Sequence, residues 1–202
     1  MKNKSVYLYG AGGHAKVIRD ILEACDITLK GIVDDNPSTT QFMEMEVMHA
    51  LKSSEEYIVS IGNCDIRRKI AEKLADSGCK FTTAIHPSAI ISKHASVEEG
   101  SVVMHGAIVQ SGARIGRHCI VNTSATVDHD CNIGDYVHIA PGVTICGDVT
   151  IGEGCWVGAG SVVIQGVKIG KGSFIGAGSV VCKDIPEGVV AYGNPCKVKR
   201  NI

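Results

Sequence analysis

The sequence predicts an α/β unit, resembling half of a Rossmann fold, followed by a parallel β-helix built on a six-residue repeat. Three observations carry this. Val or Ile recurs at every sixth position from Ile85 to Val181 without a miss, strand and helix patterns alternate before that, and a glycine-rich turn, GAGGHA, joins the first strand to the first helix. The expected units are residues 1–84, 85–182 and a tail of 183–202.

In the first unit, strands are expected at Val6 to Tyr9, Leu29 to Val33, Tyr57 to Ile61 and near Phe81, with helices after His14 and after Asp65. The first helix places Val17, Ile18, Ile21 and Leu22 on one face; the second carries Ile66, Ile70 and Leu74, with Asp65 as N-cap and Gly78 as its stop. Gly10, Gly12 and Ala15 satisfy G-x-G-x-x-A, a weak match by itself. Asp34 and Asp35 end the second strand and Gly62 and Asn63 the third, so three loops converge on the carboxyl edge of the strands, where open α/β sheets bind ligands. Backbone N–H groups at Gly12 and Gly13 suit a phosphate, and the acids, which would repel phosphate, suit the nucleoside end. A tight turn with two solvated acids accounts for the same residues, and NAD is the cofactor alternative. A unit of about 80 residues is only half of a dinucleotide fold, which favours a mononucleotide or a nucleotide sugar.

The second unit has a period that fits neither the 3.6 residues of a helix nor the simple alternation of a long strand; six fits a short strand plus a corner. Three hexads then close one triangular coil. The Val/Ile column stacks inside the prism, at roughly 1.5–3 kcal/mol for each buried side chain. A second column of small or β-branched residues runs four positions later, as at Ser101, Ala107, Ala113, Cys119, Ala125 and Cys131.

This geometry sorts the eight histidines. Gly147 lies three hexads beyond His129, one coil along the same column. Asn122 and His138 fall just short of that separation and are neighbours, whereas His129 and His138 are half a circuit apart and do not meet in one chain. Prisms packed about a threefold axis would set His129 and Gly147 of one subunit opposite Asn122 and His138 of the next. An amine or hydroxyl nucleophile needs a base of near-neutral pKa, a role that suits His129, with Asp130 or Asp128 orienting the ring and the Gly147 N–H steadying a thioester oxyanion. Cys146 is read as packing rather than as a nucleophile.

Composition narrows the partners. The net charge is −1, with no basic stripe, so nucleic acid is not indicated. No apolar run has the length of a membrane span or of a signal-peptide core, which points to the cytoplasm. Nine cysteines form no C-x-x-C pair and read as reduced packing thiols.

Taken together, GAGGHA, the VDD strand end, Gly62-Asn63 with Arg67, the IHPSA junction, the NTSATVDHDC run and the GNPCK tail resemble the sugar O/N-acyltransferases across essentially the whole chain. That family includes N-acetyltransferases of UDP-4-amino sugars and of GDP-perosamine, and sialic acid O-acetyltransferases. The resemblance implies a left-handed β-helix, a homotrimer with interfacial sites, and acetyl-CoA as co-substrate without a metal. It implies His129 as base with Asp130 beside it, and Asn122, Gly10, Gly12, Gly13, His14, Asp34, Asp35, Gly62, Asn63 and Arg67 toward the nucleotide sugar. It places CoA against His138, Gly147, Ala159, Ala177 and Lys197. A UDP-linked 4-amino sugar is the expected acceptor, O-acetylation of a sialic acid the alternative. The rival on the same scaffold, a γ-type carbonic anhydrase, needs two zinc-binding histidines about five residues apart, and no His-x4-His pair is present. A second rival is a non-catalytic scaffold that binds a sugar nucleotide.

Overall fold

The computed structural model describes residues 4–202. The first unit is a six-stranded sheet. Its core is parallel: β1 (Ser5–Tyr9) lies between β2 (Thr28–Val33) and β5 (Glu56–Val59), and β6 (Lys80–Phe81) extends one side. The other side is a hairpin of β3 (Gln41–Phe42) and β4 (Met45–Met48), an addition to the strands the sequence predicts.

Helix α1 (Gly13–Ala24) buries Ala15, Ile18, Ile21 and Leu22, close to the predicted face. Helix α2 (Cys64–Asp76) departs from prediction in two ways. Its N-cap is Asn63, whose side-chain oxygen accepts from the Ile66 N–H at 3.0 Å; Asp65 sits in the first turn, where its charge still favours the helix dipole. Its buried face is Cys64, Arg67, Ala71 and Leu74, which leaves Ile66 about half exposed.

From β7 (Ala84–Ile85) to β23 (Val180–Val181) run seventeen two-residue strands, each paired in parallel with a strand three hexads away, as Ile120 with His138 and His138 with Trp156. They form the three faces of a prism. The first residue of each strand points outward and the second inward, so the whole Val/Ile column enters the core. Ile85, Ile91 and Val97 alone stay partly exposed, because no coil lies beneath them. The small column is also inside. There the Cys119, Cys131 and Cys155 thiols donate to carbonyls fifteen positions on, at 3.0–3.1 Å, as the Ser101 hydroxyl does at 2.7 Å. All nine cysteines are free. β24 (Val189–Tyr192) and β25 (Lys197–Asn201) close the far end as a hairpin.

The α/β unit covers one face of the prism. Ala84, Val102 and Ile120, outward-pointing residues of that face, share a core with Ile18, Ile21 and Leu22 of α1. His138 is the next rung and is 4% exposed, whereas Trp156 and Phe174 beyond it emerge toward solvent. Cover thus ends beside His138. Among the described residues no helix is long and apolar enough to cross a membrane.

Candidate active site

Two clusters arise on different parts of one chain. The first is a corner of the prism, between β14 (Thr126–Val127) and β15 (Asn132–Ile133). His129 stands there half exposed, and its Nδ1–H donates to Asp130 Oδ2 at 2.9 Å. Asp128 instead accepts from the His129 backbone N–H at 2.7 Å, so it shapes the turn while Asp130 holds the ring. That hydrogen bond to Asp130, helped by the charges of Asp128 and Asp148, raises the imidazole pKa above its ordinary value.

Gly147 stacks on His129 one coil along, with the Asp148 N–H donating to the His129 carbonyl at 2.9 Å. A β-carbon on Gly147 would fall 2.5 Å from His129 Nε2 and Cε1, so only glycine leaves room for the ring. Below, Gly112 does the same for Asp130, whose carboxylate oxygen would lie 2.3 Å from an added β-carbon. The dyad therefore sits between two glycines. Among the described residues the Gly147 N–H has no acceptor. A groove of about 170 Å³ beside this corner is lined by Asp128, Cys146, Thr126 and Thr144.

The second cluster lies where the α/β unit meets the prism. His138, on β16 (His138–Ile139), donates from Nδ1 to the Gly62 carbonyl at 3.0 Å, and its Nε2 faces Asn122 Nδ2 at 3.1 Å. Burial above all, with the charge of Arg67 and the neighbouring His14, pushes its pKa down to about 3, against the upward pull of the bond to Gly62. His14, at the start of α1, has its ring centre 6.3 Å from that of His138, and its enclosed Nε2 finds no partner among the described residues. Burial and Arg67 lower its pKa to about 4.

The glycine-rich turn feeds this cluster. Gly10, at φ +107°, has room for no side chain against Ile61, whereas β-carbons on Gly12 and Gly13 would meet nothing. Packing within the chain does not require glycine at those two positions; the turn is open to a ligand. Asp34 accepts from the Ala11 N–H at 2.8 Å and the Asn36 N–H at 2.9 Å, bracing the turn, while exposed Asp35 accepts from the Tyr9 hydroxyl at 2.6 Å and pairs with Lys73 at 3.2 Å. The Tyr9 bond, then Lys73, lowers the Asp35 pKa despite partial burial. Lys73 is absent from the residues the sequence singles out; its one available signal is a place on α2 less than two turns past Arg67.

One expected site residue is corrected. Arg67 is 1% exposed, and its donors are spent on four backbone carbonyls and one thiol: Nε on His118 at 2.8 Å, Nη1 on Ile61 and Gly62 at 2.9 and 2.7 Å, and Nη2 on Tyr136 at 2.6 Å and Cys64 Sγ at 3.6 Å. It clasps the two units together and does not face a nucleotide. Gly62 and Asn63 likewise serve the junction and the cap of α2. Ala159 and Ala177 stack one coil apart on an exposed corner, with the Gly178 N–H bonded to the Ala159 carbonyl, and Lys197 is exposed on β25; none joins the His129 cluster within one chain. Among the described residues no three His, Cys, Asp or Glu side chains converge to hold a metal ion.

Comparison with known proteins supplies the lineage. Residues 5–74 match the family described as PglD N-terminal domain, and residues 112–147 and 148–183 match bacterial transferase hexapeptide (six repeats). The chain is 41% identical over 111 residues to a Bacillus subtilis (strain 168) UDP-N-acetylbacillosamine N-acetyltransferase, a match spanning 50% of this chain and 51% of that protein. It spans about half the length of that curated relative. Among solved structures it resembles the acetyltransferase domain of PglB from Neisseria gonorrhoeae FA1090 in complex with acetyl coenzyme A, at 38% identity and TM-score 0.89 over 98% of this chain and 100% of that one. It also resembles PerB from Caulobacter crescentus in complex with CoA and GDP-perosamine, at 37% identity and TM-score 0.89 over 97% of each. With this likeness to both along nearly the whole chain, a PglD-type α/β unit and an unbroken hexapeptide prism, the chain belongs to the left-handed β-helix acyltransferases.

Proposed function

We propose that this protein transfers the acetyl group of acetyl-CoA to the amino group of a nucleotide-linked amino sugar, a UDP-4-amino-4,6-dideoxy sugar being the first candidate. The observation that carries this reading is the stack of His129 on Gly147, with Asp130 on the far ring nitrogen. His129 Nε2 takes a proton from the attacking nitrogen as the C–N bond forms, Asp130 steadies the imidazolium, and the Gly147 N–H donates to the oxygen of the tetrahedral intermediate; as the C–S bond breaks the imidazolium gives that proton to the sulfur, and CoA leaves as the thiol. Direct attack requires no covalent enzyme intermediate.

Substrate identity leans on the relatives. PerB is described with GDP-perosamine and the Bacillus subtilis protein as acting on a UDP sugar, so both nucleotides occur among similar proteins. The open Gly12–Gly13 turn suits the diphosphate, and Asp35 with Lys73 suits the nucleoside. In this reading the functional unit is a trimer, in which His129 of one protomer faces Asn122 and His138 of the next, and CoA runs past Ala159, Ala177 and Lys197.

The test is transfer itself: free-thiol release from acetyl-CoA with UDP-, GDP- and CMP-linked amino sugars. His129→Ala is expected to lower turnover by roughly 10²–10⁴ while leaving CoA binding intact. Unchanged turnover refutes the base assignment.

A further inference from the structure

Arg67 and His138 meet on one carbonyl. The Gly62 carbonyl accepts both from Arg67 Nη1, at 2.7 Å, and from His138 Nδ1–H, at 3.0 Å. A carbonyl oxygen is an acceptor only, so His138 must carry its proton on Nδ1. The opposite end of the chain of bonds is fixed too. The Thr123 N–H donates to Asn122 Oδ1 at 2.8 Å, which turns the Asn122 amide nitrogen toward His138 Nε2 at 3.1 Å and requires a lone pair there. Every donor and acceptor from Arg67 to Thr123 then has one direction.

The cation that begins this chain is unusual. Arg67 is buried without an ion pair among the described residues, its charge met by four backbone carbonyls and the Cys64 thiol. It lies among His14, His118 and His138, and its charge helps hold all three neutral. A lysine at this place would keep the charge but could not span the Ile61–Gly62 loop, His118 and Tyr136 at once.

We propose that Arg67 is a positioning residue for acetyl transfer: by clamping the Gly62 carbonyl onto His138, it fixes the Nδ1–H tautomer, so that the His138–Asn122 pair offers the acceptor sugar one unvarying hydrogen-bonding pattern. The use of that pair by the acceptor rests on the activity proposed above; the tautomer does not. The role differs from a purely structural clasp, whose loosening would change neither the nitrogen that carries the His138 proton nor the turnover of a folded enzyme.

Two measurements test it on the full chain. Nitrogen-15 spectra of the histidine-labelled parent are expected to show His138 protonated at Nδ1, bare at Nε2 and unchanged from pH 8 to pH 5. Arg67→Lys is expected to mix the tautomers and lower kcat roughly tenfold to hundredfold, with KM for acetyl-CoA within about twofold of the parent. Should the lysine variant not fold, the same spectra and kcat read on Arg67→Gln decide. An active parent with His138 protonated at Nε2, or a lysine variant that keeps the pure Nδ1–H form and full kcat, overturns the positioning role. A parent that acetylates no nucleotide amino sugar overturns the activity, and with it the catalytic use of a tautomer the spectra still report.

Discussion

Asp130 reaches the His129 ring from a backbone turn at φ +59°, a left-handed conformation that aspartate tolerates better than most side chains. The equivalent corners one and two hexads away are occupied by glycine or by other residues with positive φ, and His118, Ser124, Asp130, Tyr136 and Asp148 all lie in this short central stretch. Where the coil passes the two clusters, chemistry-bearing side chains occupy turns that glycine fills elsewhere, at the cost of some local strain. The consequence for Asp130 is measurable. A base acts unprotonated, so activity rises with pH through the pKa of His129, which the Asp130 bond raises. Asp130→Asn keeps the turn but removes the charge. The acidic limb of the kcat/KM profile is expected to move to lower pH and the plateau to fall; a limb that stays in place would assign the raised pKa to Asp128 and Asp148 instead.

Each two-residue strand gains little by itself, and the solenoid stands through its stacked interior. Ile139 is fully buried and shares its strand with His138, so Ile139→Ala is expected to cost about 2–5 kcal/mol in urea denaturation. Ile85→Ala, at the open end, should cost visibly less; equal losses would contradict the stacked core. This interior is legible in the sequence because a six-residue period leaves no choice of inward residue. The α/β unit is less so. Helix α2 offers Ile66 and Ile70 as an apolar stripe, but the tertiary demand to bridge two units turns Arg67 inward and rotates Ile66 out. Nothing in the G-N-x-x-x-R spacing distinguishes an arginine aimed at phosphate from one aimed at carbonyls of a domain the chain has yet to build. Likewise β3 and β4 are too short to show alternation, and the Tyr9–Asp35–Lys73 group joins three elements that only the sheet brings together.

Over the whole molecule, the junction between the units is a store of neutral imidazoles. Burial, with Arg67 alongside, depresses His14 and His118 to about 4 and His138 to about 3. In the unfolded chain these groups protonate near pH 6.5, so below that pH the unfolded state takes up protons that the folded state refuses. Stability from this source is complete above pH 6.5 and is lost as pH falls toward about 4, with each histidine contributing up to about 1.4 kcal/mol per pH unit. Urea midpoints are expected to fall steeply between pH 6.5 and 4.5; a flat profile there would mean that the junction opens to water without unfolding.

The two clusters occupy different sides of one chain, and the proposed chemistry requires that neighbouring protomers join them. Co-expressing His129→Ala with His138→Ala, each expected to be inactive alone, tests this most directly. If every site takes its base from one subunit and its His138–Asn122 pair from the next around a ring, randomly mixed oligomers should regain roughly a quarter of the parent activity. Mixed oligomers as inactive as either variant alone would contradict it.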